Sequence, residues 1–332
     1  MTPDPHEVEN AVLAVLAGTD LHPAAAQVPM DPADLSDAVA TYRAAGRAAL
    51  NTPALDRGWY QVRIHFTDWA GAERTAATHL GPFLQQARET GTFADWWFLR
   101  KHPCWRLRCR PGSHATVATR TLLAPVLDGL VAAGAVQRWW ESRYEPESLA
   151  FGGKRGMEIA HDLFHADSDG ILTHLRQAPA APGQPAVGRR ELAVLLCASL
   201  FRGAGQDSHE QGDIWHRVAQ MRPLAEAPPT GRLRGMAPSL DRLMSLDTSA
   251  TSPLFATGGP LPHAGPWAAA FKTAGRQLAD SARDGALERG LRDVLAHHVI
   301  FHWNRIGVPA AAQAVLARAA RNTLLNLDGS VS

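Results

Sequence analysis

The sequence predicts an α+β protein, a small sheet followed by a mainly helical half. Three observations carry this. Four short segments between residues 59 and 144 have the patterning of strands. Helical patterns lie between the first and second of them and between the third and fourth. From about residue 154 onward the apolar residues recur at helical spacing.

Residues 6–17, "HEVENAVLAVLA", read as a helix stopped by Gly18. Residues 31–50 read as another, with Asp31 as cap and Pro32 at its first position. The pair resembles a helix-turn-helix, but no basic stripe accompanies the second helix, so residues 1–50 read as a helical packing appendage. "NTPALDRG" (51–58) reads as a linker into a larger domain, 51–332. Within that domain the α/β core spans about 59–153 and the helical half about 154–326.

"WYQVRIHF" (59–66) alternates, with Tyr60, Val62, Ile64 and Phe66 in one phase and Gln61, Arg63 and His65 in the other, as a half-buried strand does. Residues 69–90 are helical. "DWWFLRK" (95–101) and "CWRLRCR" (104–110) are strands joined by a turn at His102-Pro103. Residues 114–133 are helical and end at Gly134, and "VQRWWESRY" (136–144) is a fourth strand. Strand, helix, strand, strand, helix, strand is the order of a ferredoxin-like split βαβ sheet.

Beyond residue 153, residues 156–178 read as a helix pair or one broken helix, and 179–187 as a Pro-rich loop. Residues 188–205 read as a buried helix and about 223–265 as loop-rich. Helices follow over 266–282, 286–306 and 310–326, the second ended by Gly307 with Pro309 beyond it.

The 33 Lys and Arg against 32 Asp and Glu leave a net charge of +1, so bulk electrostatics give no reason to expect nucleic-acid or membrane binding. Cys104, Cys109 and Cys197 form no CxxC pair, no apolar run reaches membrane-spanning length, and no secretory signal pattern opens the chain. A cytoplasmic protein is expected. Ten tryptophans read as aromatic core or as the lining of a groove for a peptide.

The third strand carries the chemistry. Trp105, Leu107 and Cys109 point one way, and Arg106, Arg108 and Arg110 the other. Arg63 and His65 lie in the polar phase of the first strand. Such a row either faces solvent or grips carboxylates and peptide carbonyls, to which Arg offers a forked donor pair. "RYEPESLAFGG" (143–153) puts Tyr144, Glu145 and Glu147 at a strand-to-helix turn, where they serve either the turn or a site mouth as acid, base or donor. "AHDLFHADS" offers His161 and His165 on one helix face, without the further ligands of a metal site. Asp207, Glu210 and Asp213 read as a capped helix start. In "HHVIFHWNR" (297–305), His298, His302 and Arg305 share one helix face, and His297, Ile300 and Asn304 a neighbouring one.

"WWFLRKHPCWRLRCRPG", "YEPESLAFGG", "AHDLFHADS", "EQGDIWHRV" and "FHWNR", in that order, resemble the thiopeptide-type bacteriocin biosynthesis proteins. These are related to the C-terminal domain of class I lanthipeptide dehydratases. The resemblance covers about residues 58–325. It implies work on ribosomally made precursor peptides, by one of two reactions. One branch removes glutamate from glutamylated Ser or Thr. The other, the pyridine synthases, joins two dehydroalanines in a formal [4+2] cycloaddition and can expel the leader peptide.

The eliminating pattern has an "HLRLR"-like strand, an arginine before "YGG" and a histidine four residues before "NR". Here the strand arginines are Arg106 and Arg108, but the other two places hold Ala150 and Ile300. His297 is one helical turn from Ile300 and about 60° off, whereas His302 is about 200° away. The resemblance therefore points to the pyridine-synthase-like branch, with a stand-alone glutamate-elimination lyase or a non-catalytic peptide-binding scaffold as alternatives. The candidate catalytic residues are Arg106, Arg108, Tyr144, Glu147, His297 and His302. The candidate substrate-binding residues are Arg63, His65, Arg110, Trp140 and Arg305. No metal or organic cofactor is expected. The expected partners are a leader-plus-core precursor peptide and, for elimination, a separate glutamylating dehydratase component; a homodimer is left open.

Overall fold

A computed structural model describes residues 4–51, 58–112, 116–177, 187–224 and 230–327. Most of the 51–58 linker and of the 179–187 loop lies outside these. The chain divides into two compact units, Met1–Arg57 and Gly58–Ser332.

Among its described residues the first unit has three helices, α1 (Pro5–Leu16), α2 (Leu21–Ala25) and α3 (Pro32–Asn51). Asp4 caps α1 by accepting from the His6 amide at 2.9 Å, and Pro5 fills the first turn, where no amide hydrogen is needed. Val12, Ala24, Leu35 and Val39 close a small core of its own. The short α2 has too few residues for helical periodicity to reveal it.

The second unit begins with β1 (Tyr60–Phe66), α4 (Ala72–Thr75), a π-helical turn (Ala76–Leu80) and α5 (Gly81–Glu89). Next come β2 (Phe93–Lys101), β3 (Cys104–Pro111), α6 (Thr116–Ala132) and β4 (Val136–Ser142). The four strands form one antiparallel sheet in the order β2-β3-β1-β4. One face buries Val62, Ile64, Trp105 and Leu107 in the core. Helix α6 lies on this face. Its Asp128 accepts from Trp139 Nε1 at 2.8 Å, and its Arg120 pairs with Glu141 at 2.8 Å. The opposite face carries Gln61, Arg63 and His65 on β1, paired with Arg108 and Arg106 on β3 and with Ser142, Trp140 and Arg138 on β4.

The helical half comprises α7 (Gly153–Arg176), α8 (Arg189–Gly203), α9 (Ser208–Met221), α10 (Thr230–Ser245), α11 (Gly265–Arg283), α12 (Leu291–Ile306) and α13 (Ala310–Leu325). It docks on the edge strand β2. His165 Nδ1 bonds the Trp96 carbonyl at 2.9 Å, Ser168 Oγ accepts from the Phe98 amide at 3.2 Å, and Arg305 Nε donates to the Phe98 carbonyl at 3.1 Å. These bonds occupy groups that an open sheet edge leaves unpaired.

Three sequence expectations change. The 156–178 pattern is one unbroken helix, α7. The loop-rich reading of 223–265 misses α10, whose Leu233, Met236, Leu240 and Leu243 repeat at helical spacing behind Gly231, Gly235 and an internal Pro238. The 286–306 helix starts only at Leu291, because Leu287 and Glu288 are held at Gly152: the Glu288 amide bonds the Gly152 carbonyl at 3.0 Å. The start of α9 carries the full reciprocal cap, Asp207 with Glu210.

Candidate functional site

Beyond β4 the chain crosses the polar sheet face toward α7. It delivers Tyr144, Glu147 and Phe151 opposite Arg108. Gly152 and Gly153 take φ of +83° and +86° so that α7 can start there. The result is a narrow crevice of about 10 Å³, room for about one water molecule. Its polar lining is Arg108, Tyr144 and Glu147. Its walls are Trp97 from β2, Phe151 from the turn before α7, Met157 and Phe164 from α7, and Phe301 from α12.

Arg108 is buried at 5% exposure. Its Nε donates to Gln61 Oε1 at 2.6 Å, and Gln61 is in turn fixed by donating to Ser142 Oγ at 2.7 Å and the Arg143 carbonyl at 2.8 Å. The guanidinium carbon lies 4.0 Å from the Trp97 ring centre and 4.5 Å from that of Tyr144. Such stacking is worth about 2 kcal/mol when desolvated. Arg108 Nη1 is buried without a hydrogen-bond partner, which leaves a donor for an oxygen atom of a ligand. Burial pulls the Arg108 pKa down to about 9, with Tyr144 and Glu147 working against that pull, so the group stays cationic at neutral pH.

The Tyr144 hydroxyl bonds His161 Nε2 at 2.7 Å. Burial, with Arg108 and Arg110 acting in the same direction, pushes the His161 pKa down to about 3. His161 is therefore a neutral partner of Tyr144, a role that its position in α7 alone does not reveal. Gln61 and the aromatic walls were also missed as site residues. Gln61 shares the polar phase of β1, and Trp97 belongs to a tryptophan doublet; both signals are in the sequence.

Arg106 continues the row toward the open part of the sheet, where burial and Arg63 both lower its pKa. Arg110 sits at the other end, paired with Asp95 and 5.9 Å from the Trp59 ring centre, so it stands apart from Arg63 and Arg106. Arg63, His65 and Trp140 are half-buried on the face that continues from the cavity.

The C-terminal cluster gathers around a buried carboxylate. His302 Nδ1 bonds Asp167 at 2.8 Å, Trp267 Nε1 donates to the same carboxylate at 2.9 Å, and the Arg305 guanidinium pairs with it. All four side chains are buried. Burial opposes the charge on Asp167, but His302 and Arg305 outweigh it and hold the carboxyl below its usual range. Arg305 also stacks on Phe164, with its guanidinium carbon 4.5 Å from the ring centre. Neither His302 nor Arg305 lines the cavity. Arg305 bonds Asp167 and the Phe98 carbonyl, and His302 bonds Asp167 against the Phe271 ring, while Arg305 Nη2 and His302 Nε2 are buried without a hydrogen-bond partner. His297 bonds its own helix at the Asp293 carbonyl, 2.8 Å, and is also outside the cavity lining. Ile300 is buried in the core.

Among the described residues, no three His, Cys, Asp or Glu side chains stand together as metal ligands. No helix among them is long and apolar enough to cross a membrane. A wider groove between α8, α10 and α13, rimmed by Arg190 and Arg242, contains none of the expected site residues.

An antiparallel sheet docked on a helical half, with the buried Arg108 guanidinium facing an aromatic crevice, defines the α+β architecture of this protein. The chain belongs to the lantibiotic biosynthesis dehydratase C-terminal family, whose model matches residues 59–324. Among solved structures it is similar in fold to the tRNA-dependent lantibiotic dehydratase MibB from Microbispora sp. 107891, at 17% identity and a TM-score of 0.61 over 85% of this chain. This chain spans 29% of the length of that dehydratase. It is also similar to TsrL, at 15% identity and a TM-score of 0.53, covering 80% of this chain and 95% of that one. The pyridine synthase TbtD from thiomuracin biosynthesis gives 15% identity and a TM-score of 0.51, over 82% of this chain and 100% of that one. No curated protein matches the chain.

Proposed function

We propose that this protein is a tailoring enzyme for a ribosomally made precursor peptide carrying dehydroamino acids, and that it performs a pyridine-synthase-like formal [4+2] cycloaddition. The observation that carries the reading is the cavity itself. One buried guanidinium with an unpartnered Nη1 faces walls of Trp97, Phe151, Phe164 and Phe301. A cycloaddition between two dehydroalanines needs the reacting carbons held together beside a donor, and the aromatic side chains around Arg108 offer them an apolar surface at the crevice. It also needs a donor at the amide oxygen whose iminol tautomer forms the diene. Arg108 is that donor, and Tyr144 lies beside it as the second. Ile300 and Ala150, where the eliminating pattern has its histidine and arginine, favour this branch. The fold reading that goes with it is the split βαβ sheet, supported by the order β2-β3-β1-β4 with β1 and β3 central.

The second reading is elimination of glutamate, with a separate glutamylating partner. The charge of Glu147 is felt at both Arg106 and Arg108, so a carboxylate base beside a cationic subsite favours it. Neither reaction requires an organic cofactor. Mass spectrometry separates the readings. A synthetic bis-dehydroalanine peptide converted to a pyridine supports cycloaddition. A glutamylated peptide that loses glutamate and gains no ring overturns it. Peptide binding without turnover of either substrate leaves the scaffold reading.

A further inference from the structure

The polar face of the sheet continues beyond the cavity as a two-by-three grid. Arg106 of β3 stands directly opposite Arg63 of β1, and Arg63 directly opposite Trp140 of β4. One step further along, His65 stands opposite Arg138, and on β3 Cys104 shares this face. Arg138 lies over the Trp140 ring, 5.0 Å from its centre, and is exposed. Like charges directly opposite one another on a sheet are destabilising. Yet among the described residues no carboxylate lies within ion-pair distance of Arg63, Arg106 or Arg138. By contrast Arg110, at the other end of the same strand, has its Asp95. Arg63 Nε and His65 Nδ1 are buried with no hydrogen-bond partner. The acids nearest in sequence do not fill the gap. Glu141 points to the opposite face and pairs with Arg120, and Glu147 reaches the Arg106 end only at long range.

We infer that this grid is a carboxylate subsite, and that it selects peptides bearing an Asp or Glu close to the residue that reacts at Arg108. The inference rests on the proposed reading that a peptide reacts at Arg108. The spacing follows from the strand. Arg106 and Arg108 are two residues apart on β3, about 6.6 Å along it, and an extended peptide covers that span in two residues. The acid therefore belongs about two positions from the reacting residue, with its carboxylate between Arg106 and Arg63 in a forked contact. Trp140 gives the intervening peptide backbone an apolar surface to lie on.

The test uses fluorescein-labelled heptapeptides with one dehydroalanine and a single glutamate one, two, three or four residues away, each matched to its glutamine counterpart. Fluorescence polarisation measures binding without any need for turnover. Glu over Gln is expected to favour binding about tenfold at the two-residue spacing and progressively less elsewhere, with the preference falling as salt rises. Arg63→Gln and Arg138→Gln should each reduce the preference. Arg138 is exposed, so its variant keeps the test valid if Arg63→Gln fails to fold. Equal binding of Glu and Gln peptides at every spacing, or a preference that survives both variants, overturns the inference. A Glu preference on a protein that forms no pyridine overturns the cycloaddition and leaves the subsite standing.

Discussion

Replacing Asp167 with alanine is the sharpest test of how the helical half is held to the sheet. In the native protein the carboxylate is fully buried and accepts from His302, Trp267 and Arg305 together. Removing it strands three donors, one of them a buried guanidinium. A buried charge that loses its partner costs about 3–5 kcal/mol, and an orphaned neutral donor about 1–3 kcal/mol more, though the two do not add in full. A loss of about 4 kcal/mol is expected. For a body of this size that is a fall in Tm on the order of 10 °C. Urea unfolding followed by tryptophan fluorescence reads the loss directly, because Trp267 is part of the network. The double variant Asp167→Leu with Arg305→Met removes both charges and should recover part of the loss. The pH dependence has a definite sign. The Asp167 pKa is lowered on folding, so its contribution is present above the unfolded carboxyl value of about 3.9 and is lost as pH falls through the folded value. Asp167→Asn should flatten that acid limb. A loss below about 1 kcal/mol for Asp167→Ala would refute the reasoning.

Other outcomes follow from the same geometry. Arg108→Ala should lower kcat/KM on the productive peptide by about a hundredfold or more, the usual scale for one lost transition-state donor, and should also cost about 2 kcal/mol in unfolding through the lost stacking; unimpaired turnover would remove Arg108 from the mechanism. Arg108→Lys should recover little, since an ammonium offers no planar fork to stack on Trp97 and bond Gln61. Gly153→Ala should cost about 1–3 kcal/mol in urea unfolding, because φ is +86° there and an added Cβ meets the Glu288 side chain. Glu73 is held below its usual pKa by Arg189 and Arg100 against the pull of burial, so Glu73→Gln should destabilise at pH 7 and progressively less as pH drops through the folded value.

The strands were legible because their two faces differ in chemistry. In β1 and β3 every second residue is apolar and buried, and the arginines mark the other face. Helix α10 was not legible, because an internal proline and two glycines disguise its periodicity. Spacing singled out Arg108 and Tyr144 as candidates, placed by short-range patterning at a strand and its exit, and the fold brings the two side chains together. It could not find that His161 serves Tyr144, since that contact depends on how α7 crosses the end of the sheet. It also offered His302 as a catalytic and Arg305 as a substrate-binding candidate, because titratable residues on one helix face look alike whether they meet a ligand or a buried carboxylate. Asp167, 135 residues from His302, is the buried carboxylate that both of them meet in the fold.

Sealing β2 with side chains from α7 and α12 has a consequence for amide exchange. An edge strand ordinarily frays, and its outward amides exchange with solvent early. Here the Phe98 amide is closed by Ser168 and its carbonyl by Arg305. Hydrogen exchange at Phe98 then requires α7 and α12 to lift away, so this edge position reports the opening of the whole helical half, with the protection of a central strand.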